Sequence, residues 1–181
     1  MPELIDVLDE NGVKTGRVAT RDDVHREGLW HRCIVVAILN DKNEILLQQR
    51  SHNKEKNPDM WDISVAGHIS AGQDSLSAAA REINEEVSVN LGRYVDISDF
   101  RYMFCFRREQ IHNENYIDRQ FFDFFVLRQP DLRIENIRMQ ESEVQAVKFC
   151  TMSELRKLIE EHELVERPAE YAALEDYIFK I

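Results

Sequence analysis

The chain has 181 residues, of which 43% are hydrophobic and 31% are charged. This is the balance of one globular domain that is large enough to bury its own core. The formal net charge is −11, which argues against a nucleic-acid partner because phosphates would be repelled over most of the surface. The three cysteines form no CxxC pair, which argues against a disulfide framework and against a zinc site.

The N-terminal segment and the apolar runs lack the features of secreted or membrane proteins. The first twelve residues are acidic and contain no apolar core of the signal-peptide type. No later apolar run approaches the roughly 18 residues that cross a bilayer. We therefore expect a cytoplasmic protein with no membrane partner. It would form a single domain over residues 1–181, with an N-terminal hairpin extension over about residues 1–28.

Strands dominate the first part of the chain. Residues 9–12 have the composition of a tight hairpin turn. Thr20 can cap a short helix that Gly28 would end. Residues 34–39 form a continuous β-branched run of the kind that is buried on both faces of a sheet. The predicted elements are strands at residues 4–8, 13–15, 34–39 and 44–49 and a helix at residues 21–26.

Helices and aromatic-rich strands follow in the rest of the chain. Thr151 and Glu154 form a capping box at the start of a helix, and Cys33 and Cys105 lie in apolar runs where we expect small buried side chains. The predicted elements are helices at residues 75–87, from residue 151 and at 168–179, and strands at residues 100–106, 120–127 and 144–149. Strands interspersed with helices predict an α/β fold with a mixed sheet that has helices on its faces.

The helix predicted after Gly67 carries the most chemical information. The apolar side chains that share one stripe at helical spacing are Leu76, Ala79, Ala80, Ile83 and Val87. Glu82, Glu85 and Glu86 lie at i, i+3 and i+4, so they share a neighbouring face. These like charges repel each other, and a hard cation such as Mg²⁺ would remove that cost. A solvated glutamate face without a metal is the alternative interpretation.

Two glycines and an arginine accompany the glutamates. Gly67 and Gly72 flank a loop that must bend and let the backbone approach a bound anion. Arg81 lies four residues before Glu85 and can orient a carboxylate through a charge-assisted hydrogen bond. Carboxylates, a divalent metal and loop amides together suit a diphosphate, since the metal neutralises phosphate oxygens and positions or activates water.

This segment resembles the Nudix box, Gly-x5-Glu-x7-Arg-Glu-U-x-Glu-Glu-x-Gly-U, in which U is aliphatic. The matching positions are Gly67, Arg81, Glu82, Ile83, Glu85, Glu86 and Val89. The resemblance implies a Nudix-like α/β/α sandwich and an enzyme that hydrolyses a diphosphate linkage. It also implies Mg²⁺, with Mn²⁺ as a substitute, bound by Glu82, Glu85 and Glu86. Arg81, Glu82 and Glu85 would then be catalytic.

Two positions depart from the box. Gln73 stands in place of the first Glu, and Ser88 stands in place of the Gly that follows the helix. Gln73 keeps an acceptor oxygen but loses a charge, so we expect weaker metal binding or slower turnover. Ser88 changes how the helix ends, because Gly is the usual left-handed residue there. These departures leave open a module that binds a diphosphate without cleaving it.

Segments outside the box resemble the isopentenyl-diphosphate-isomerase-like branch of the same superfamily. They are residues 10–16, 25–31, 61–68 and 99–102. The isomerase places a Cys immediately before the Gly-His pair, where this chain has Ala66, which cannot exchange a proton. Its metal-binding histidines match His25, His31 and His68, but its acidic pair falls on Asp118 and Gln120. The sequence therefore favours a hydrolase over an isomerase.

Three further residues are candidates for the diphosphate site. Arg50 and Lys54 match diphosphate-contacting positions of that branch, and Glu143 stands where related enzymes place an acid that helps the water or the metal. Lys54 as a solvated loop charge and Glu143 as a surface charge are the alternatives. We thus expect substrate contacts from Arg50, Lys54, Gly67, His68 and Gly72 and a catalytic role for Glu143. The substrate would be a small nucleoside-diphosphate-type molecule, and homodimerisation is compatible with the sequence.

Overall fold

A mixed sheet forms the centre of the protein in a computed structural model, which describes residues 2–54, 56–89, 97–140 and 142–180. Its strands are β1 (Leu4–Leu8), β2 (Lys14–Thr20), β3 (Trp30–Leu39), β4 (Ile45–Arg50), β5 (Trp61–Ile63), β6 (Val65–His68), β8 (Phe100–Asn113), β9 (Tyr116–Arg128) and β11 (Val144–Cys150). A separate ribbon pairs β7 (Val87–Val89) with β10 (Ile137–Met139). The helices are α1 (Arg21–Glu27), α2 (Ser75–Glu86), α3 (Met152–Glu160) and α4 (Pro168–Phe179).

Strand β3 organises the sheet because it pairs with neighbours along both edges. It runs parallel to β9, from the pair of Trp30 and Arg119 to the pair of Leu39 and Arg128, and antiparallel to β6. Residues 34–39 are fully buried, as the continuous apolar run predicts. The strand therefore contributes to a core on each face of the sheet.

The two cores are covered by different helices. Ile34, Val36 and Ile38 pack in one core with the α2 residues Ala78, Ala79 and Ile83. Their alternate neighbours Val35, Ala37 and Leu39 pack in the other core with Leu155 and Leu158 of α3 and Leu174 of α4. Helices thus lie on both faces of a mixed sheet, which confirms the predicted α/β fold class. No helix in the described part of the chain is long and apolar enough to cross a membrane.

The local signals for helix ends are satisfied. The Thr20 hydroxyl accepts a hydrogen bond from the Asp23 amide at the start of α1, and Gly28 ends this helix with a left-handed φ of 62°. Thr151 and Glu154 form the predicted capping box of α3. The strand of the N-terminal hairpin that returns from the turn is longer than predicted, because β2 continues to Thr20 along β1.

The largest difference from the prediction is the length of the β8–β9 hairpin. The prediction stopped at aromatic residues, whereas both strands continue through polar residues that pair antiparallel up to Asn113 and Tyr116. The expectation for Cys105 was wrong: its side chain is exposed, since strand alternation turns it away from Phe104 and Phe106. The short strands β5, β6, β7 and β10 were not predicted, because three or four residues carry too little periodicity.

Candidate active site

A cleft of about 490 Å³ opens where strand ends, the helix α2 and the β8–β9 hairpin meet. Most of the residues selected from the sequence line it: Arg50, Lys54, Gly67, His68, Arg81, Glu82, Glu85 and Glu143. The N-terminal segment also contributes, through Glu3 and through Arg21 and His25 of α1. The fold therefore brings together side chains as distant in the sequence as Glu3 and Arg167.

Helix α2 lies directly against strand β6 at Gly67. A Cβ atom at this position would lie 2.5 Å from the Glu82 Cδ and Oε1 atoms, which is closer than real Cβ contacts come. Gly67 lies within β6 rather than in a bend. Its lack of a side chain is therefore what allows the Glu82 carboxylate to lie against the strand at the floor of the cleft.

Arg81 joins the two described carboxylates of the box. Its Nη2 lies 2.8 Å from Glu82 Oε1, and its Nη1 donates to Glu85 Oε2 at 2.8 Å. Nη2 also donates to the His68 carbonyl at 3.2 Å. Because one planar guanidinium contacts both glutamates and the backbone of β6, it fixes their relative positions, as the sequence analysis expected for Arg81.

Glu82 and Glu85 differ in their exposure to solvent. Glu82 is 8% exposed. Burial raises the pKa of the Glu82 carboxyl to about 7, against the lowering effect of Arg81 and with a further rise from Glu85. Glu85 is exposed at the cleft. A buried carboxyl that titrates near neutrality beside a second carboxylate is an arrangement that a divalent cation would stabilise.

Gln73 and Gly72 lie beside a second cavity, of about 330 Å³, together with Lys14 and Arg32. Gly72 has a left-handed φ of 79°, and its amide donates to Asp6 Oδ2 at 2.9 Å. The structure therefore does not bring Gly72 into the cleft with the other substrate-contact candidates. Gln73 Oε1 accepts from Arg81 Nε at 3.5 Å, so it contacts the site only through that arginine. The side chain of Glu86 lies outside the described residues.

Arg50, Lys54 and Glu143 form a second group of residues that line the cleft. Lys54 Nζ forms an ion pair with Glu143. Arg50 donates through Nε and Nη2 to the Lys56 carbonyl at 3.1 and 3.0 Å, and its Nη1 lies 3.8 Å from Asp62. Buried Asp62 also accepts from Arg167 at 2.6 and 3.0 Å. This pair was not predicted, since no local signal connects residues 105 positions apart.

Three histidines form a buried cluster, of which His25 and His68 line the cleft. The ligand atoms of His25, His31 and His68 all lie within 4.8 Å of one another, close enough to share one metal ion. Burial lowers the pKa of His31 to about 4 and that of His68 well below its usual value. The His68 Nε2 atom is buried without a hydrogen-bond partner. Neutral imidazoles with a buried free nitrogen have the chemistry of metal ligands.

Asp118 connects this cluster to the rest of the cleft. Its Oδ1 lies 2.9 Å from His25 Nδ1, at ion-pair distance but outside hydrogen-bond geometry. Its Oδ2 lies 2.6 Å from Lys56 Nζ and 2.8 Å from His112 Nε2. Burial alone would raise the pKa of Asp118, but its contacts with His25, Lys56 and His112 hold it well below the usual range. The next inward residue, Gln120, is uncharged and lies 3.3 Å from His31 Nε2.

Sequence reasoning missed the polar residues of the β8–β9 hairpin. Arg108, Gln110, His112 and Tyr116 line the cleft but match no position of the box. The same is true of Lys56, which lies in the loop between β4 and β5. The available signal was strand alternation, because Phe106, Arg108, Gln110 and His112 are spaced by two and project from one face. The prediction ended that strand before these residues, so the signal was lost.

Divalent metal fits the donor set on the α2 side of the cleft. Glu82 and Glu85 offer hard oxygen ligands, and Arg81 holds them in place without occupying the open side of Glu85. Gly67 leaves space that a larger residue would fill with its Cβ. The carboxylate side thus has the chemistry for Mg²⁺ or Mn²⁺, whereas the histidine side has the nitrogen donors that suit softer ions.

Comparison with known proteins yields a family match over most of the chain. The NUDIX domain model matches residues 29–172. Nudix hydrolase 3 of Arabidopsis thaliana is 37% identical over 97% of this chain, which spans 23% of that protein's length. A Nudix hydrolase of Listeria monocytogenes is 33% identical over 84% of this chain and 82% of its own length. Shorter matches, over 46% to 63% of the chain, are to bacterial proteins named isopentenyl-diphosphate Delta-isomerase.

A solved structure agrees in fold. The protein DR0079 of Deinococcus radiodurans superposes with a TM-score of 0.72, at 19% sequence identity, over 94% of this chain and 97% of that protein. At this identity the likeness shows a common fold.

Proposed function

Because this chain belongs to the Nudix hydrolase family, we propose that it hydrolyses a diphosphate linkage in a small nucleoside-diphosphate-type substrate with the help of Mg²⁺. The observation that carries the proposal is the contact of Arg81 with Glu82 and Glu85 at the floor of the cleft. These residues stand at the Arg-Glu and Glu positions of the box, and Gly67 lies against them.

Glu82, Glu85 and Glu86 form the proposed metal-binding set, with Glu86 assigned from the sequence alone. When bound, Mg²⁺, or Mn²⁺ in its place, would neutralise diphosphate oxygens and lower the pKa of water. Arg81 keeps Glu82 and Glu85 in position by its two contacts at 2.8 Å. Because both carboxylates contact the same guanidinium, neither can move without the other. We therefore propose that Arg81 preorganises Glu82 and Glu85 before substrate enters.

The group of Arg50, Lys54 and Glu143 would bind the substrate. Arg50 lines the cleft and is held by the Lys56 carbonyl and by Asp62. Lys54 forms an ion pair with Glu143, so a phosphate that attracts Lys54 would release the Glu143 carboxylate. Glu143 could then accept a proton from the attacking water. The backbone of Gly67 and the side chain of His68 are proposed to complete the phosphate contacts.

The experiment is a hydrolysis assay with the full chain over a broad diphosphate panel, with Mg²⁺, with Mn²⁺ and with chelator. We expect metal-dependent product release and a loss of roughly 100-fold or more in kcat/KM for Glu85→Gln, the size of effect that removal of a charge-stabilising group produces. Glu160→Gln is the matched control, because Glu160 is exposed on α3. Release of no product from any diphosphate would contradict the proposal. Incorporation of labelled water oxygen identifies the attacked phosphorus.

A second candidate, isomerisation of isopentenyl diphosphate, is favoured by the cluster of His25, His31 and His68. Two observations argue against it. Ala66 stands where the isomerase has its Cys, and a methyl group cannot exchange a proton. Gln120 removes one of the two acids beside the histidines. We therefore expect isopentenyl diphosphate to yield no dimethylallyl diphosphate when the two are separated chromatographically.

A further inference from the structure

Arg108 differs from the other lysines and arginines of the cleft because it has no carboxylate partner among the described residues. It is half-buried, and its Nη2 donates to the backbone carbonyl of Glu166 at 3.1 Å. Among the described residues no carboxylate oxygen lies within 4 Å of it. The lysines and arginines of the cleft that do pair with acids are Arg21, Arg50, Lys54, Lys56, Arg81 and Arg167.

The position of Arg108 follows from strand alternation in β8. It pairs with Gln120 across the hairpin, so its side chain projects from the same face as Phe106 and Phe122, which stack on each other. Arg107 projects from the opposite face, where its guanidinium lies 4.3 Å from the ring centre of Trp30. The inward face of β8 thus changes from aromatic to cationic at Arg108.

The cleft continues beyond Arg108 into a space of about 600 Å³. Arg108, Gln110 and His112 line both this outer cavity and the inner cleft. Asn57 and Glu166 add polar groups to the outer wall. Met60 and Val165 add apolar surface to this cavity. A hydrocarbon chain that filled it would still remove water from the polar groups without offering them hydrogen bonds.

Arg108 is half-buried, so its guanidinium has lost part of its hydration shell, and no carboxylate among the described residues compensates for that loss. An oxyanion offers the bidentate partner that its planar N–H groups match. Glu170 lies close enough to be influenced by the charge of Arg108, but it is buried and pairs with Arg167 at 3.6 Å. The open donors of Arg108 are therefore available to a ligand in the cavity.

We propose that the substrate carries a second anionic group, a phosphate or a carboxylate, beyond the scissile diphosphate, and that Arg108 binds this group at the entrance of the outer cavity. The proposal rests on the proposed hydrolysis and specifies the class of substrate. Arg108 would act as a specificity-determining residue. It would distinguish diphosphates that bear an additional oxyanion from those that end in a neutral or apolar group.

Matched substrate pairs test this proposal. Coenzyme A and dephospho-coenzyme A differ by one phosphate, and UDP-glucuronate and UDP-glucose differ by one carboxylate. We expect the wild type to prefer the anionic member of at least one pair in kcat/KM, and Arg108→Met to reduce that preference by about 10- to 100-fold, the contribution of hydrogen bonds to a charged group. Turnover of the neutral member should change by less than about 3-fold. The pair that responds identifies the oxyanion.

Arg107→Met is the matched control, because it removes the same charge from the adjacent position on the outer face. In both substrate pairs it should leave the ratio of kcat/KM between the anionic and the neutral member unchanged. A purely structural role of Arg108 would lower the thermal midpoint without changing the ratios and would overturn the proposal. An equal loss for both members of a pair would also overturn it, since Arg108 would then bind the diphosphate itself.

Binding measurements separate this proposal from the proposed activity. If no diphosphate is hydrolysed, the proposed function fails, but calorimetric titration of the same pairs in the presence of Ca²⁺ still tests Arg108. Tighter binding of the anionic member that is lost in Arg108→Met supports the proposal. Equal affinity of the wild type for both members of each pair contradicts it.

Discussion

The carboxylate side and the histidine side of the cleft are both grouped for metal binding, yet they differ in charge. On the carboxylate side, Glu82 and Glu85 flank one arginine and face open space. On the histidine side, the imidazoles of His31 and His68 are held neutral by burial, and the adjacent Asp118 is already engaged by Lys56 and His112. Because hard oxygen ligands suit Mg²⁺, we propose that diphosphate hydrolysis takes place on the carboxylate side.

The histidine side resembles an isomerase site from which proton-transfer groups have been lost. Its nitrogen donors remain close together, but Ala66 and Gln120 replace the groups that would move or balance a proton. The charge of Asp118 is compensated by Lys56, which also lies 3.5 Å from the ring centre of Tyr116. This side therefore connects α1 to β9 through His25 and Asp118, and we propose that it forms a polar wall beside the substrate.

The largest expected effect is a difference in turnover between variants of the carboxylate side and variants of the histidine side. Glu82→Gln should lower kcat/KM by roughly 100- to 1000-fold, because it removes a buried carboxylate that the metal needs. His31→Gln should retain at least about a tenth of the wild-type activity, because the imidazole lies outside the reacting centre in this assignment. Both variants are measured at saturating Mg²⁺ after circular dichroism confirms folding. The reverse order of effects would place the chemistry on the histidines.

The next effect is on the free energy of unfolding of the metal-free protein, to which the two sides contribute with opposite dependence on pH. His31 has a pKa of about 4 in the folded state against 6.5 in the unfolded chain. The unfolded state therefore binds more protons between these values, and stability is lost as pH falls from about 6.5 to 4. The loss should approach about 3 kcal/mol, at 1.36 kcal/mol per pKa unit.

Glu82 shows the opposite sign. Its folded pKa of about 7 lies above the usual value of 4.5, so its stabilising contribution is present below pH 4.5 and is lost as pH rises towards 7. Urea unfolding with chelator, from pH 4 to pH 8, measures both contributions. His31→Gln should remove the loss at low pH, and Glu82→Gln should remove the loss near neutrality. Parallel curves for wild type and both variants would contradict the burial of these groups.

Much of the fold follows from local signals, whereas the cleft depends on contacts that local signals do not carry. The run from Ile34 to Leu39 and the cap at Thr151 specify a strand and a helix start by their own chemistry. The grouping of Glu82 and Glu85 was predictable because both lie on one helix. The pairing of Asp62 with Arg167 and the position of Arg108 depend on the sheet, which brings distant segments together.

Gly67 is a single residue whose role local sequence signals could not predict. The sequence indicated a bend near an anion, but Gly67 lies in a regular strand, where the Glu82 side chain from the neighbouring helix occupies the space that a Cβ would take. Only the packing of α2 on β6 reveals this reason. The carboxylate side is thus defined by a close approach of backbone and helix as well as by its charges.

The smallest expected effect tests that close approach. Gly67→Ala places a Cβ 2.5 Å from the Glu82 carboxyl group, so the carboxylate or the helix must move. We expect a loss of about 1–3 kcal/mol in the free energy of unfolding, typical of overpacking, together with weaker Mg²⁺ activation. The double variant Gly67→Ala/Glu82→Ala removes the overlapping atoms. It should recover stability relative to Gly67→Ala without recovering turnover, and additive losses in this cycle would show that the two residues do not contact each other.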